Sequence, residues 1–317
     1  MAQRSLTAPD QPADESTRPD PGSGRGADPT TDAADPAGAA ALSGRPPGRA
    51  RPTLGGRLAK LAESAWRPAI LLGALFAVWW FATAREYVAA YLVPPPGDVW
   101  DVVVEQRSDL ARHTWVTTYE TLLGFVLAAV IGVVTAVVIV YSKTLEKAIY
   151  PIILFAQVIP KIAIAPILVV WFGFGMTPKV MLAVLIAFFP VVISGVAGLR
   201  SVDPELLDLS ATMGASRWQT FRKIRFPGAL PHLMAGLKVA VTLAVVGAVV
   251  GEFVGSKEGL GFILLAASGN LDSALLFADL FLMSAIGIIL FVLVEFAEAL
   301  LIPWHASRRE GMALTTT

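Results

Sequence analysis

Apolar residues gather into six long stretches along this chain, at 66–84, 115–141, 148–172, 180–199, 228–253 and 280–302. A helix needs roughly 20 mostly apolar residues to cross the hydrocarbon core of a bilayer. Each stretch meets or approaches that length. The second contains an uncharged run from Thr121 to Ser142, and the third is interrupted by Pro160-Lys161. The fifth includes Lys238 and ends at Glu252, and the sixth carries Glu295 and Glu298 near its end. Glycine and proline within the stretches do not argue against helix, because spans tolerate both better than soluble helices do. The pattern predicts an all-α membrane protein with six transmembrane helices between residues 66 and 305.

The polar segments between these stretches differ in kind. Residues 1–65 contain no aromatic residue and are crowded with Pro, Gly, Ala, Asp and Arg. Such a stretch buries too little apolar surface to offset its conformational entropy, so 1–53 is expected to be a disordered tail. It lacks the apolar core of a cleavable signal peptide. Its alternatives are a regulatory or docking tail and a solvated extension without a specific role. Residues 54–65, with Arg57 and Lys60, form a candidate interfacial helix. The connection at 86–113 is long; Pro94-Pro95-Pro96 starts a rigid turn there, and 98–112 can form a short surface helix.

Lys and Arg placement orients the spans. One set of flanks holds Arg57, Lys60, Arg67, Lys143, Lys147, Arg200, Arg217, Arg222, Lys223, Arg225, Arg308 and Arg309; the other holds Arg85, Arg107, Arg112, Lys179 and Lys257. Twelve against five makes the first set cytoplasmic. Both termini, including a short tail at 306–317, and the polar loop at 203–231 then face the cytoplasm.

That loop reads as two short helices. Asp203 caps the first, Pro204 suits its first turn, and Glu205 faces the positive end of the helix dipole. Leu206, Leu209 and Met213 follow at helical spacing as one apolar stripe. Gly214 interrupts it. Ser216 with Gln219 makes a capping box for a second helix from Arg217 to about Arg225, with Pro227 as its end. Trp218, Phe221, Ile224 and Phe226 supply its apolar contacts. One reading floats these helices among lipid headgroups, with Arg217, Arg222, Lys223 and Arg225 on phosphates. That reading does not require a glycine break followed by a fresh cap.

Composition narrows the chemistry. Hydrophobic residues make up 55% of the chain and charged residues only 16%, and the mean hydropathy is +0.63, values that favour an integral membrane protein. The net charge of zero gives no case for nucleic acid. There is no cysteine, and His113, His232 and His305 are far apart. Thiolate chemistry and a His-Glu-x-x-His zinc site are therefore absent, and no metal is expected. No Gly-x-x-x-x-Gly-Lys stretch occurs, so ATP is not held by a P-loop here.

The loop resembles a known element. Asp208-Leu209-Ser210, three residues, Gly214, nine residues and Ile224-Arg225-Phe226-Pro227 reproduce the spacing of the EAA loop, Glu-Ala-Ala-x-x-x-Gly…Ile-x-Leu-Pro. That loop belongs to permease subunits of binding-protein-dependent ABC importers. Asp208 departs conservatively from Glu, Leu209 and Ser210 replace the two Ala, and Phe226 replaces Leu. Ile159-Pro-Lys-Ile-Ala, Trp171-Phe-Gly-Phe-Gly, Gly124-Phe125, and Glu252 followed by Gly259-Leu-Gly are similar to the nitrate, sulfonate and taurine branch of that family. Glu120 departs from it, standing where a basic residue is expected.

The resemblance implies the type I ABC importer permease fold in a prokaryotic cell membrane. It implies a second permease copy, a separate cytoplasmic ATP-binding subunit and an extracytoplasmic solute-binding protein, with ATP used by the partner and no cofactor in this chain. The solute implied is nitrate, a sulfonate such as taurine, or a vitamin or pyrimidine precursor. The ATPase-coupling residues implied are Asp208, Gly214, Ala215, Trp218, Phe221, Ile224 and Pro227: Gly214 permits the turn, Ala215 allows close approach, and Trp218 and Phe221 are candidate anchors.

Charges within the spans each need a reason, since one at the bilayer centre costs at least ~2.5–3.5 kcal/mol on insertion scales. Lys161 is either a conduit-facing cation or a structural lysine paired with Glu120 or Glu252. Lys238 and Glu252 share a helix face about four turns apart and cannot touch. Glu120 is expected near the outer end of its span, within reach of water. Glu295 and Glu298 are expected to snorkel or to pair with Arg308 or Arg309. His232 reads as an interfacial residue, and Ser268, Asn270 and Asp272 as candidates for an external gate. A self-sufficient secondary transporter or channel is the alternative function, but no duplicated half is visible. A membrane enzyme would need a clustered catalytic constellation that the sequence lacks.

Overall fold

The structure is a computed structural model and describes residues 54–302. The chain divides into two units, with the boundary between Ala65 and Trp66. The expected tails at 1–53 and 306–317, with Arg308 and Arg309, lie outside the described residues. Every regular element among the described residues is helical.

The elements are α1 (Leu54–Ala84), α2 (Pro96–Glu105), α3 (Arg107–Tyr141), α4 (Lys143–Ala156), α5 (Ala165–Phe172), α6 (Met176–Arg200), α7 (Pro204–Thr212), α8 (Arg217–Thr220), α9 (Phe226–Gly255), α10 (Leu260–Gly269) and α11 (Ser273–Leu301). Among the described residues, four helices are long and apolar enough to cross a membrane: Arg107–Tyr141, Met176–Arg200, Arg217–Gly255 and Ser273–Leu301. A fifth span would be the bent pair Lys143–Ala156 and Lys161–Phe172, and Ala69–Ala84 is a shorter apolar helix. The multi-span, all-α reading holds, and the count of six is not reproduced in full among these residues.

Helix α6 is the centre of the packing, held between α3 and α9. Lipid tails are as apolar as leucine, so helices associate in a membrane chiefly through close packing, which small residues permit. Gly124, Ala128, Gly132 and Ala136 recur every fourth residue on α3 and are all buried. A Cβ on Gly132 would lie 2.8 Å from the Val191 Cβ, and one on Gly124 would lie 2.5 Å from the Ala183 Cβ. From the other side, a Cβ on Gly247 would lie 2.6 Å from the Ala183 Cα. Ala183 is therefore flanked by a glycine of α3 and a glycine of α9. The outward faces of α3 and α11 keep large apolar side chains exposed, among them Val130, Val134, Ile288 and Leu293, as lipid contact requires.

Four expectations change in detail. Residues 54–65 are helical, but within α1 rather than as a separate element. The external helix expected at 98–112 breaks at Gln106, where φ is −100° and ψ is 19°, and Arg107–Arg112 belongs to α3. The third span is not one helix: it turns by 87° between α4 and the stretch from Lys161. Pro160 lacks an N–H, disfavours helical backbone at Ile159 and itself adopts extended backbone, with ψ of 91°. Pro227 does not end the second loop helix. Phe221–Arg225 widens into a π turn closed by the Phe226 N–H donating to the Phe221 carbonyl. Pro227 then falls in the first turn of α9, where a missing N–H is tolerated.

Candidate functional site

The loop between α6 and α9 is built by local chemistry. The Asp203 carboxylate accepts from the Glu205 N–H at 2.9 Å and starts α7. The helix ends in a Schellman motif: the Ala215 N–H donates to the Ser210 carbonyl at 3.0 Å and the Gly214 N–H to the Ala211 carbonyl at 3.0 Å. This turn needs left-handed backbone, and Gly214 has φ of +75°. Nothing lies within 4 Å of where its Cβ would be, so conformation and not space demands glycine. The Ser216 hydroxyl accepts from the Gln219 N–H at 3.3 Å, and the Gln219 side chain accepts from the Ser216 N–H at 2.8 Å. The capping box expected from sequence is complete. Ser210 and Thr220 hydroxyls, 3.2 Å apart, link α7 to α8.

The expected coupling residues separate into two groups. Asp208 and Trp218 are exposed, with Trp218 at 66%, and so are Leu206, Leu209 and Met213. Ala215 and Ile224 are half-buried. Phe221 turns inward instead: its ring centroid lies 5.7 Å from Tyr141 and 5.7 Å from Phe226, and Trp218 stacks on it at 5.6 Å. It anchors the loop to α3 and α9 and is not an exposed anchor. Of the basic residues, Arg225 lies over the Tyr141 ring at 5.8 Å.

The intramembrane charges are paired differently from the expectations. Glu120 of α3, 2% exposed, forms an ion pair with Lys179 of α6, 5% exposed. The flank count treats Lys179 as a surface charge, and the position of Glu120 near the outer end of its span puts it within reach of water; both are buried. Lys179 also donates to the Ser256 hydroxyl at 3.1 Å. Glu252 of α9 does not pair with Lys161. It accepts from Thr117 at 2.7 Å and from the Gly261 N–H, while the Leu260 N–H donates to Thr117 at 2.8 Å. His113 Nδ1 accepts from the Gly259 N–H at 2.8 Å. This carboxylate, hydroxyl and imidazole satisfy the turn that opens α10. A Cβ on Gly259 would strike the Glu252 carboxylate, and one on Gly261 would lie 2.8 Å from the Glu252 Cβ. The Gly-Leu-Gly sequence is therefore the space that Glu252 needs. Thr117 and His113 carried no signal in the sequence, being more than 130 residues from their partners.

Lys161 is half-buried; its Nζ donates to the Gln157 carbonyl at 2.8 Å and lies 4.5 Å from the centre of the Phe189 ring. Its pairing with Glu120 or Glu252 is corrected by these contacts. Lys238 pairs with Glu298 across α9 and α11, so Glu298 has a partner on its neighbour helix. Glu295 and His232 are exposed. Ser268 and Asn270 are exposed, and Asp272 caps α11 by accepting from the Leu275 N–H at 3.0 Å. No group of His, Cys or acidic side chains among the described residues could hold a metal ion.

The family described as "binding-protein-dependent transport system inner membrane component" matches residues 128–304, which include the loop, α6, α9 and the Glu252 turn. The chain belongs to that family. A probable ABC transporter permease protein of Haemophilus influenzae is 36% identical over 72% of this chain and 94% of its own length. A formylaminopyrimidine transport permease protein of Halalkalibacterium halodurans is 34% identical over 78% of this chain and 98% of its own. A riboflavin transport system permease protein of Chloroflexus aurantiacus is 36% identical over 75% and 90%. A chain of the inward-facing methionine ABC transporter MetNI shares the fold, with a TM-score of 0.54 and 22% identity over 63% of this chain and 97% of that one. This chain is thus a multi-pass membrane permease subunit of an ABC importer.

Proposed function

We propose that two copies of this chain form the path by which a cell imports a small nitrogen-rich heterocycle, a vitamin or pyrimidine precursor. A cytoplasmic ATP-binding subunit drives it through the loop at 203–228, and an extracytoplasmic binding protein delivers the solute. The observation that carries the ATPase reading is the loop's exposed apolar surface, Leu206, Leu209, Met213 and Trp218, on two capped helices fixed by Gly214. A short, preorganised element with an aromatic at its tip suits a small and tight interface.

With Lys179 buried in its ion pair, the flank charges stand at twelve against four, which supports cytoplasmic termini and a cytoplasmic loop. The broken third span supports a two-fold assembly: Val158, Ile159, Val170, Trp171 and Phe172 are all exposed there, an apolar face that a second copy would cover. Membrane lipid covers the rest. The solute class rests on the names of the pyrimidine and riboflavin relatives.

The test is reconstitution of the chain in liposomes with its ATP-binding subunit and binding protein. ATP-dependent uptake of labelled formylaminopyrimidine, and none when the ATP-binding subunit is omitted, is the expected result. Uptake that persists without that subunit would establish a secondary transporter instead.

A further inference from the structure

Trp115 and Tyr119 of α3 and Phe174, just before α6, stand around a cavity of about 690 Å³. All three rings are exposed, Phe174 at 81%. Glu120 and Lys179 form its buried side, and Lys257 and Glu258 its open rim. A volume in this range holds a small organic molecule. None of the contacts that close the α10 turn or anchor the cytoplasmic loop uses this space.

Its charges decide what fits. Lys179 is the buried cation, and both of its partners, Glu120 and the Ser256 hydroxyl, belong to the chain. At the rim Lys257 and Glu258 carry one charge of each sign, and Glu258 also lies 4.0 Å from Arg112. Arg112 and Lys257 are positive charges of the open, water-facing rim, and the one buried cation is already paired within the chain. A sulfonate or nitrate would have to pull Lys179 from Glu120 and leave a buried carboxylate unpaired, which is strongly unfavourable. A flat ring system without negative charge meets no such penalty and gains from the aromatic walls.

We infer that this cavity is a solute site of the permease itself, taking a planar amino-substituted heterocycle between Trp115, Tyr119 and Phe174 and excluding anions through the Glu120–Lys179 pair. The inference rests on the heterocycle reading of the imported solute and gives this chain a share in selection.

The experiment uses the full-length permease in nanodiscs, without the binding protein, and measures equilibrium binding of labelled formylaminopyrimidine and of taurine. Saturable binding of the pyrimidine and none of taurine is expected. Trp115→Ala and Tyr119→Ala should each weaken pyrimidine binding about tenfold, the scale of losing one stacking partner. Their unfolding temperatures should stay at the unsubstituted value, because both side chains are at least half exposed. In Glu120→Gln, Lys179 loses its counter-charge, and taurine binding should appear. Absent pyrimidine binding, or binding unaltered in both aromatic variants, overturns the site even where the reconstituted transporter imports the pyrimidine, which leaves the solute class standing. Uptake of taurine in place of the pyrimidine by the reconstituted transporter overturns both.

Discussion

Lys179 of α6 reaches across to Glu120 of α3, and the two form an ion pair in which neither side chain is more than 6% exposed. The pair joins two spans whose close approach elsewhere depends on glycine and alanine. Taking two charges out of water is costly, so such a pair adds little net stability, yet removing one partner strands the other.

Single substitution at this pair should therefore be far worse than double substitution. Lys179→Met or Glu120→Gln alone should destabilise the protein by about 3–5 kcal/mol. The double variant should recover most of that loss. Thermal unfolding of the four proteins in one detergent measures the coupling. A double variant whose loss equals the sum of the two single losses would show that the two residues act independently.

Gly214 offers a test in which strain is separated from crowding. Its φ of +75° penalises side chains, while open space surrounds it. Left-handed backbone costs an L residue roughly 1–2 kcal/mol, and Asn tolerates it best. Gly214→Val should abolish solute-stimulated ATP hydrolysis in the reconstituted transporter, Gly214→Ala should reduce it, and Gly214→Asn should keep most of it. Full stimulation in Gly214→Val would remove the turn from the coupling path.

Trp218 and Phe221 are three residues apart and stacked on each other, yet they should fail in different ways. Trp218 is exposed, so Trp218→Ala should leave unfolding unchanged and weaken capture of the ATP-binding subunit by at least ~2 kcal/mol, about 30-fold. Phe221 packs against Tyr141 and Phe226, so Phe221→Ala should destabilise the permease by about 3 kcal/mol or less, since the site is half-buried. Pull-down of the ATP-binding subunit and thermal unfolding, run on both variants, separate the two roles. Similar behaviour of the two would mean that the loop works as one packed unit.

The loop was legible because its determinants are local. Asp203, Gly214, Ser216 and Gln219 act over two to five residues, and each does what its spacing predicts. Four of the six expected spans were legible for the same reason, since twenty apolar residues identify themselves. What escaped was whatever depends on a partner distant in sequence. Lys179 reads as a flank charge until Glu120 is seen beside it, 59 positions away. Thr117 and His113 gain their roles only when α10 folds back on α3. Pro227 read as a helix end because a π turn, which moves the hydrogen-bond register by one residue, leaves no mark in composition. The 87° bend was half visible: Pro160-Lys161 marks the interruption without giving its angle.

The glycines of the core give the sharpest contrast in packing. A Cβ on Gly247 would lie 2.6 Å from the Ala183 Cα and 3.0 Å from the Ala183 nitrogen, both backbone atoms that no rotamer change can move. On α11, a Cβ on Gly287 would meet nothing within 4 Å. Helix propensity favours alanine over glycine at both positions by roughly 1 kcal/mol. Gly287→Ala should therefore be neutral or slightly stabilising. In Gly247→Ala that gain is outweighed, since overfilling a close-packed contact costs about 1–3 kcal/mol and the obstacle here is main chain. A lower unfolding temperature and reduced yield are expected, with larger losses in Gly247→Leu. Melting curves that rise for both alanine variants would mean that α6 and α9 are not held at this distance, and the small-residue seam would lose its role as the centre of the fold.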